Sequence, residues 1–69
     1  MAESVYKVVE LVGVSSDSWE KAAAAAIERA ADSVRELRIA QVVEQDVQID
    51  GGKVVAYRTK LKVSFKYES

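Results

Sequence analysis

In the stretch YRTKLKVSFKY (Tyr57–Tyr67), Arg58, Lys60, Lys62 and Lys66 stand at alternate positions, with only Ser64 interrupting the row of cations. The intervening positions hold Tyr57, Thr59, Leu61, Val63, Phe65 and Tyr67. Side chains of a strand alternate between faces, so this segment predicts one basic face and one nearly apolar face. Such a row has three chemical uses: to bind nucleic acid, to hold an anionic ligand, or to answer an acidic row elsewhere in the chain. The acidic row is present. Upstream, Glu44, Asp46 and Asp50 share the even positions of RIAQVVEQDVQID (Arg38–Asp50) with Ala40, Val42 and Gln48. A hairpin closed by a three-residue Gly51-Gly52-Lys53 loop sets Asp50 opposite Val54, Asp46 opposite Arg58, and Glu44 opposite Lys60. Opposite charges across an antiparallel pair favour that pairing, so the first reading is a charge ladder on a solvated face. Lys62 and Lys66 find no acid in this register; with Lys60 they are the candidate anion contacts.

The bulk composition narrows the function. Ten basic and eleven acidic residues give a net charge of −1, where a nucleic-acid binder carries a basic excess. The chain has no Cys and no His. That excludes disulfides, thiolate and imidazole metal sites, and Ser–His or Cys–His nucleophile systems. No paired acid–base set is evident, so the chain reads as non-enzymatic. No apolar run is long enough to span a membrane and no signal pattern is seen, so a cytoplasmic protein is expected, with neither a nucleic-acid nor a membrane partner.

The elements that must position these charges follow from patterning. Ser4–Val12 (SVYKVVELV), rich in β-branched residues, predicts a first strand ended by Gly13. A helix from about Ser16 to Leu37 follows, capped by Ser15 or Asp17, with Trp19, Ala23, Ala26, Ile27, Ala30, Val34 and Leu37 as its buried stripe. Arg38–Asp50 and Val54–Tyr67 form a hairpin, since Asp50-Gly51-Gly52 supplies the positive-φ residues of a tight turn. The order β-α-β-β predicts a single α+β domain over residues 1–69. One helix lies on a three-stranded sheet, with the last strand between the other two and antiparallel to both. The charged sheet face is then uncovered.

At 69 residues such a domain buries only about 60% of its unfolded surface, so self-association is expected to supply the missing stability. The run AAAAA (Ala22–Ala26) has two readings: strong helix propensity alone, or a surface flat enough for a neighbouring subunit. Trp19 reads as core or interface rather than as a ligand-stacking ring.

With VYKVVELVG (Val5–Gly13), RELRIAQVVE (Arg35–Glu44) and LKVSF (Leu61–Phe65) in place, nearly the whole chain resembles the dodecin family. The resemblance implies a homododecamer, a hollow shell with helices outward and sheets lining the interior, which stores a small ligand without catalysis. Flavin-binding dodecins carry a stacking Trp in a pattern like LRWFEVVE and a hydrogen-bonding Gln in a pattern like WQVTLKVGF. The matching stretches here are LRIAQVVE and YRTKLKVSF, which put Ile39 at the stacking position and Arg58 at the amide position. Ile39 lacks the aromatic face, and Arg58 only donates where an amide both donates and accepts. The flavin pocket is therefore altered.

SWEKAAAAA, VVEQD and the Arg of the last strand are similar to a dodecin branch associated with calcium. Calcium takes six to eight oxygens at about 2.3–2.6 Å, and no single stretch here supplies them. Glu44, Asp46 and Asp50 on the sheet face, and Asp17 and Glu20 outside it, are the metal candidates that this resemblance brings forward. The expected function is storage of a small ligand or a divalent cation such as calcium. The alternative is a riboflavin or FMN store that uses Arg58 or the nearby lysines as anion partners.

Overall fold

The computed structural model describes residues 3–67. Strand β1 (Tyr6–Ser15) leads into helix α1 (Trp19–Ala31), and strands β2 (Leu37–Asp50) and β3 (Lys53–Lys66) form the hairpin. The sheet order is β1-β3-β2, and β3 is antiparallel to both neighbours. This is the expected α+β arrangement, with several differences of local cause.

Gly13 does not end β1; the strand runs through it to Ser15. A Cβ at Gly13 would stand 1.9 Å from the Ala22 carbonyl oxygen, so the missing side chain is what lets helix and strand backbones touch. The glycine marks a close approach rather than a turn.

The helix is shorter than its apolar periodicity predicts. Its cap is Ser18, not Ser15 or Asp17: Ser18 is extended, and its hydroxyl accepts from the Lys21 N–H at 3.0 Å. The Ser15 hydroxyl accepts instead from Asp17 N–H, and the Asp17 carboxylate pairs with Lys21 at 3.1 Å. At the far end Asp32 and Ser33, whose side chains compete with helical backbone bonding, close the last turn, and Val34 N–H still donates to the Ala30 carbonyl. Glu36 then adopts φ 63, which reverses the chain into β2. Leu37 packs on the core from the first position of β2 and Val34 is half-buried in the connection, so the two continue the apolar pattern without prolonging α1. Ala22, outside the expected stripe, is fully buried because it lies over Gly13.

The hairpin turn has two residues, not three. Gly51 (φ 60) and Gly52 (φ 76) occupy it, and Asp50 is opposite Lys53. Left-handed angles at both positions are what a tight hairpin needs to match strand twist. A bulge between Gln48 and Ile49 then shifts the register by one residue, which restores Asp46 opposite Arg58 and Glu44 opposite Lys60.

The core is thin. Ala26, Leu61 and Val63 are buried at its centre, with Val9, Leu11, Ala23, Ile27 and Leu37 packed around them. A 13-residue helix is about 20 Å long, whereas each 14-residue strand of the hairpin runs about 46 Å. The helix therefore covers less than half of the hairpin, and Ile49 and Val54 are left 64% and 50% exposed beyond it.

Candidate functional site

The open sheet face, opposite α1, carries the charge ladder. Arg58 donates from Nε and Nη2 to the two carboxylate oxygens of Asp46, at 2.7 and 2.8 Å. These hydrogen bonds hold the Asp46 carboxyl below its ordinary value and push the Arg58 guanidinium further up. One step along β3, Lys60 lies between two carboxylates, 3.8 Å from Glu10 on β1 and 3.9 Å from Glu44 on β2. With Val12, four of these residues (Glu44, Asp46, Arg58 and Lys60) enclose a polar cavity of about 150 Å³ whose formal charges cancel.

Asp46 also ties this face to the helix. Its backbone carbonyl accepts from the Trp19 indole N–H at 3.0 Å, and the Trp19 ring meets Tyr57 edge-on at 5.1 Å. The buried Thr59 hydroxyl donates to the Trp19 carbonyl at 2.9 Å. Trp19 is thus a structural clamp at the helix start, in keeping with a packing role.

Further along the face is a second cavity of about 460 Å³, lined by Val8, Glu10, Ile39, Gln41, Lys62 and Ser64. Ile39 is 66% exposed there. It is paired with Ser64, six residues from Arg58 on β3, a separation of about 20 Å. One chain therefore does not bring Ile39 and Arg58 together. Across the hairpin Lys62 pairs with Gln41 and meets no acid, as the hairpin register predicts, but on its other side β1 places Glu10 as its register partner. Lys66 faces Tyr6. Glu10 is the residue of this face that sequence reading missed. Its signal was a lone acid alternating with Val8 and Val12, readable only once β1 is registered against β3.

The metal candidates are dispersed. Asp50 borders the turn opposite Lys53, Asp17 is paired with Lys21, and Glu20 is exposed on the first helical turn. Among the described residues no three carboxylates come together in one chain as a metal-holding group. The open face is also less uniformly charged than expected, since Tyr6, Val8, Val12 and Val14 on β1 present apolar side chains to it.

The fold and face together define a β-α-β-β protein in which the helix packs on one side of a three-stranded sheet and an uncovered charge ladder lies on the other. The dodecin family profile matches residues 5–68. A calcium dodecin of Mycobacterium tuberculosis is 54% identical over 63 residues, 91% of this chain and 89% of that protein. Its solved structure, described as a calcium-chelating antigen with a novel calcium-binding site, superposes with a TM-score of 0.84 at 55% identity, covering 94% and 93% of the two chains. The dodecin of Streptomyces coelicolor superposes with a TM-score of 0.94 at 33% identity, covering 100% and 99%. A dodecin of Thermus thermophilus is 41% identical over 93% of each chain. The chain belongs to the dodecin family.

Proposed function

We propose that twelve copies of this chain form a hollow cytoplasmic shell, open sheet faces inward, which stores a divalent cation, calcium first, and catalyses no reaction. The observation that carries the reading is the commitment of Arg58 to Asp46 while Ile39 stands at the stacking position. The surface that would grip a flavin edge is closed by an internal ion pair, and the surface that would stack on the ring is aliphatic. The likeness to a protein named for calcium supports the choice of ion.

The donor set of one chain does not fit calcium, because its carboxylates are scattered and several already have cationic partners. A shared site, built from more than one copy with backbone carbonyls or water, meets the oxygen count. Asp50 and Glu20 are the better donors of the five candidates, since Asp46, Glu44 and Asp17 are occupied by Arg58, Lys60 and Lys21. Flavin storage is a second reading, favoured by the cavity at Ile39, where Lys62 is near enough to attract a phosphate.

The test is calcium uptake by chelator-treated, intact protein, followed by calorimetry, with a parallel riboflavin titration read by fluorescence quenching. Saturable calcium binding without quenching supports storage of the ion. Quenching without calcium uptake transfers the assignment to flavin.

A further inference from the structure

The tip of the β2–β3 hairpin carries the dipeptide Asp50-Gly51 in open surroundings. Asp50 ends β2, Gly51 (φ 60) and Gly52 (φ 76) make the turn, and Lys53 begins β3. All four residues are exposed, and a Cβ built on either glycine meets nothing within 4 Å. The helix does not reach this end, where Ile49 and Val54 are exposed, and the bulge between Gln48 and Ile49 interrupts the ladder just behind the turn. A tip held by so few contacts opens locally while the core stays folded.

The chain has four aspartates, and three of them are guarded. Asp46 is fastened by Arg58 and is followed in mid-strand by the β-branched Val47. Asp17 is paired with Lys21. Asp32 precedes Ser33, whose N–H is already donated to the Ala30 carbonyl. Asp50 has none of these protections. Among the described residues its carboxylate makes no ion pair and the Gly51 N–H makes no backbone hydrogen bond outside the strand ladders. Gly51 also has no side chain to obstruct an approach to its nitrogen.

We propose that Asp50 is a site of spontaneous isomerisation to isoaspartate. When the turn opens, the Gly51 amide nitrogen attacks the side-chain carboxyl carbon of Asp50. An N–Cγ bond forms, the carboxyl hydroxyl leaves as water with the amide proton, and a five-membered succinimide closes between the two residues. Water then re-enters at one of the two ring carbonyls. Entry at Cγ regenerates aspartate. Entry at the backbone carbonyl carbon leaves the chain running through the former side chain, as isoaspartate. The water lost is the water regained, and nothing is oxidised or reduced. In the closed hairpin the extended Asp50 backbone keeps nitrogen and carboxyl apart, so opening of the tip governs the rate. The product has an extra methylene in the main chain, which a two-residue turn cannot accommodate while keeping Asp50 opposite Lys53.

The experiment is incubation of the intact protein for weeks at physiological temperature in buffer containing a chelator, followed by digestion and electron-transfer mass spectrometry. The chelator keeps cations from the Asp50 carboxylate, so the result is independent of what the protein stores. A second peptide of unchanged mass, with isoaspartyl fragment ions at position 50, is expected to grow with time. A protein isoaspartyl methyltransferase supplied with S-adenosylmethionine methylates it. Asp17, Asp32 and Asp46 stay aspartyl. Asp50→Glu, which would need a larger ring, stops the reaction. Asp50→Asn passes through the same ring with loss of ammonia and accumulates isoaspartate faster than the parent. A parent protein without isoaspartate at position 50, isoaspartate spread equally over all four aspartates, or an Asp50→Asn protein that stays asparaginyl overturns the proposal.

Discussion

Asp46 is bound from two directions: its carboxylate by the Arg58 guanidinium on β3, and its backbone carbonyl by the Trp19 indole at the start of α1. One residue thereby links the open sheet face to the helix on the opposite side. The link has a pH signature. The folded-state pKa of Asp46 is depressed, so the stabilisation from the pair is present above the unfolded carboxylate value and is lost as pH falls through the folded one. The stability difference between the parent protein and Asp46→Asn is predicted to be constant near neutrality and to shrink below the ordinary carboxylate value of 3.8. Carboxyl-carbon NMR of Arg58→Gln should show the Asp46 titration moved up. An unmoved titration would mean that the pair does not persist in solution.

Gly13→Ala is predicted to be among the most damaging single changes in the chain. The added methyl would collide with the Ala22 carbonyl, a backbone atom that cannot swing aside. Overpacking of a core typically costs about 1–3 kcal/mol, and this substitution should fall at or above the top of that range. Thermal unfolding monitored by circular dichroism measures it. A loss under about 1 kcal/mol would show that β1 and α1 can separate cheaply.

Thr59→Val keeps the shape and removes the hydroxyl that donates to the Trp19 carbonyl. Leaving such a buried group without its partner costs about 1–3 kcal/mol. Chemical denaturation should show a lower midpoint with an unchanged slope. Trp19 fluorescence should also shift to longer wavelength as the helix start loosens. A neutral effect on both readouts would remove Thr59 from the clamp.

These interactions were unequally legible in the sequence. Strand alternation and the Gly51-Gly52 pair disclosed the hairpin, and the charge pattern disclosed the Asp46–Arg58 and Glu44–Lys60 partnerships. Yet those partnerships were reached through a loop one residue too long, and a bulge beyond Gln48 cancels the discrepancy. Bulges leave no clear periodic mark, because the residue that slips is as β-prone as its neighbours. The helix end was hidden for a related reason: Leu37 contacts the same core, and Val34 is half-buried, after the chain has left helical geometry. Glu10 was hidden because β1 pairs with β3 across the whole chain, where no turn fixes the count. The gap that admits Ala22 was visible as Gly13, but a glycine in a sequence does not say whether it turns or yields space.

The flavin reading can be tested by restoration. If Ile39 and Arg58 are why a flavin is poorly held, Ile39→Trp combined with Arg58→Gln should bind riboflavin far more tightly than the parent. Each tenfold gain requires about 1.4 kcal/mol. Neither change alone should suffice, because the two positions are about 20 Å apart in one chain, so each supplies a separate contact that the other does not replace. Riboflavin fluorescence quenching reads the result. Strong quenching by the parent protein would show that these positions do not control binding.

The central claim joins an assembly to a cargo, and native mass spectrometry of the purified protein measures both at once. The hairpin that extends past the helix, with Ile49 and Val54 exposed, calls for partner copies. The expected spectrum has one dominant species at twelve times the chain mass, with added mass in steps of calcium that a chelator removes, and without bound flavin. A folded monomer as the main species would contradict the shell, and a twelve-chain species carrying flavin and no calcium would contradict the cargo.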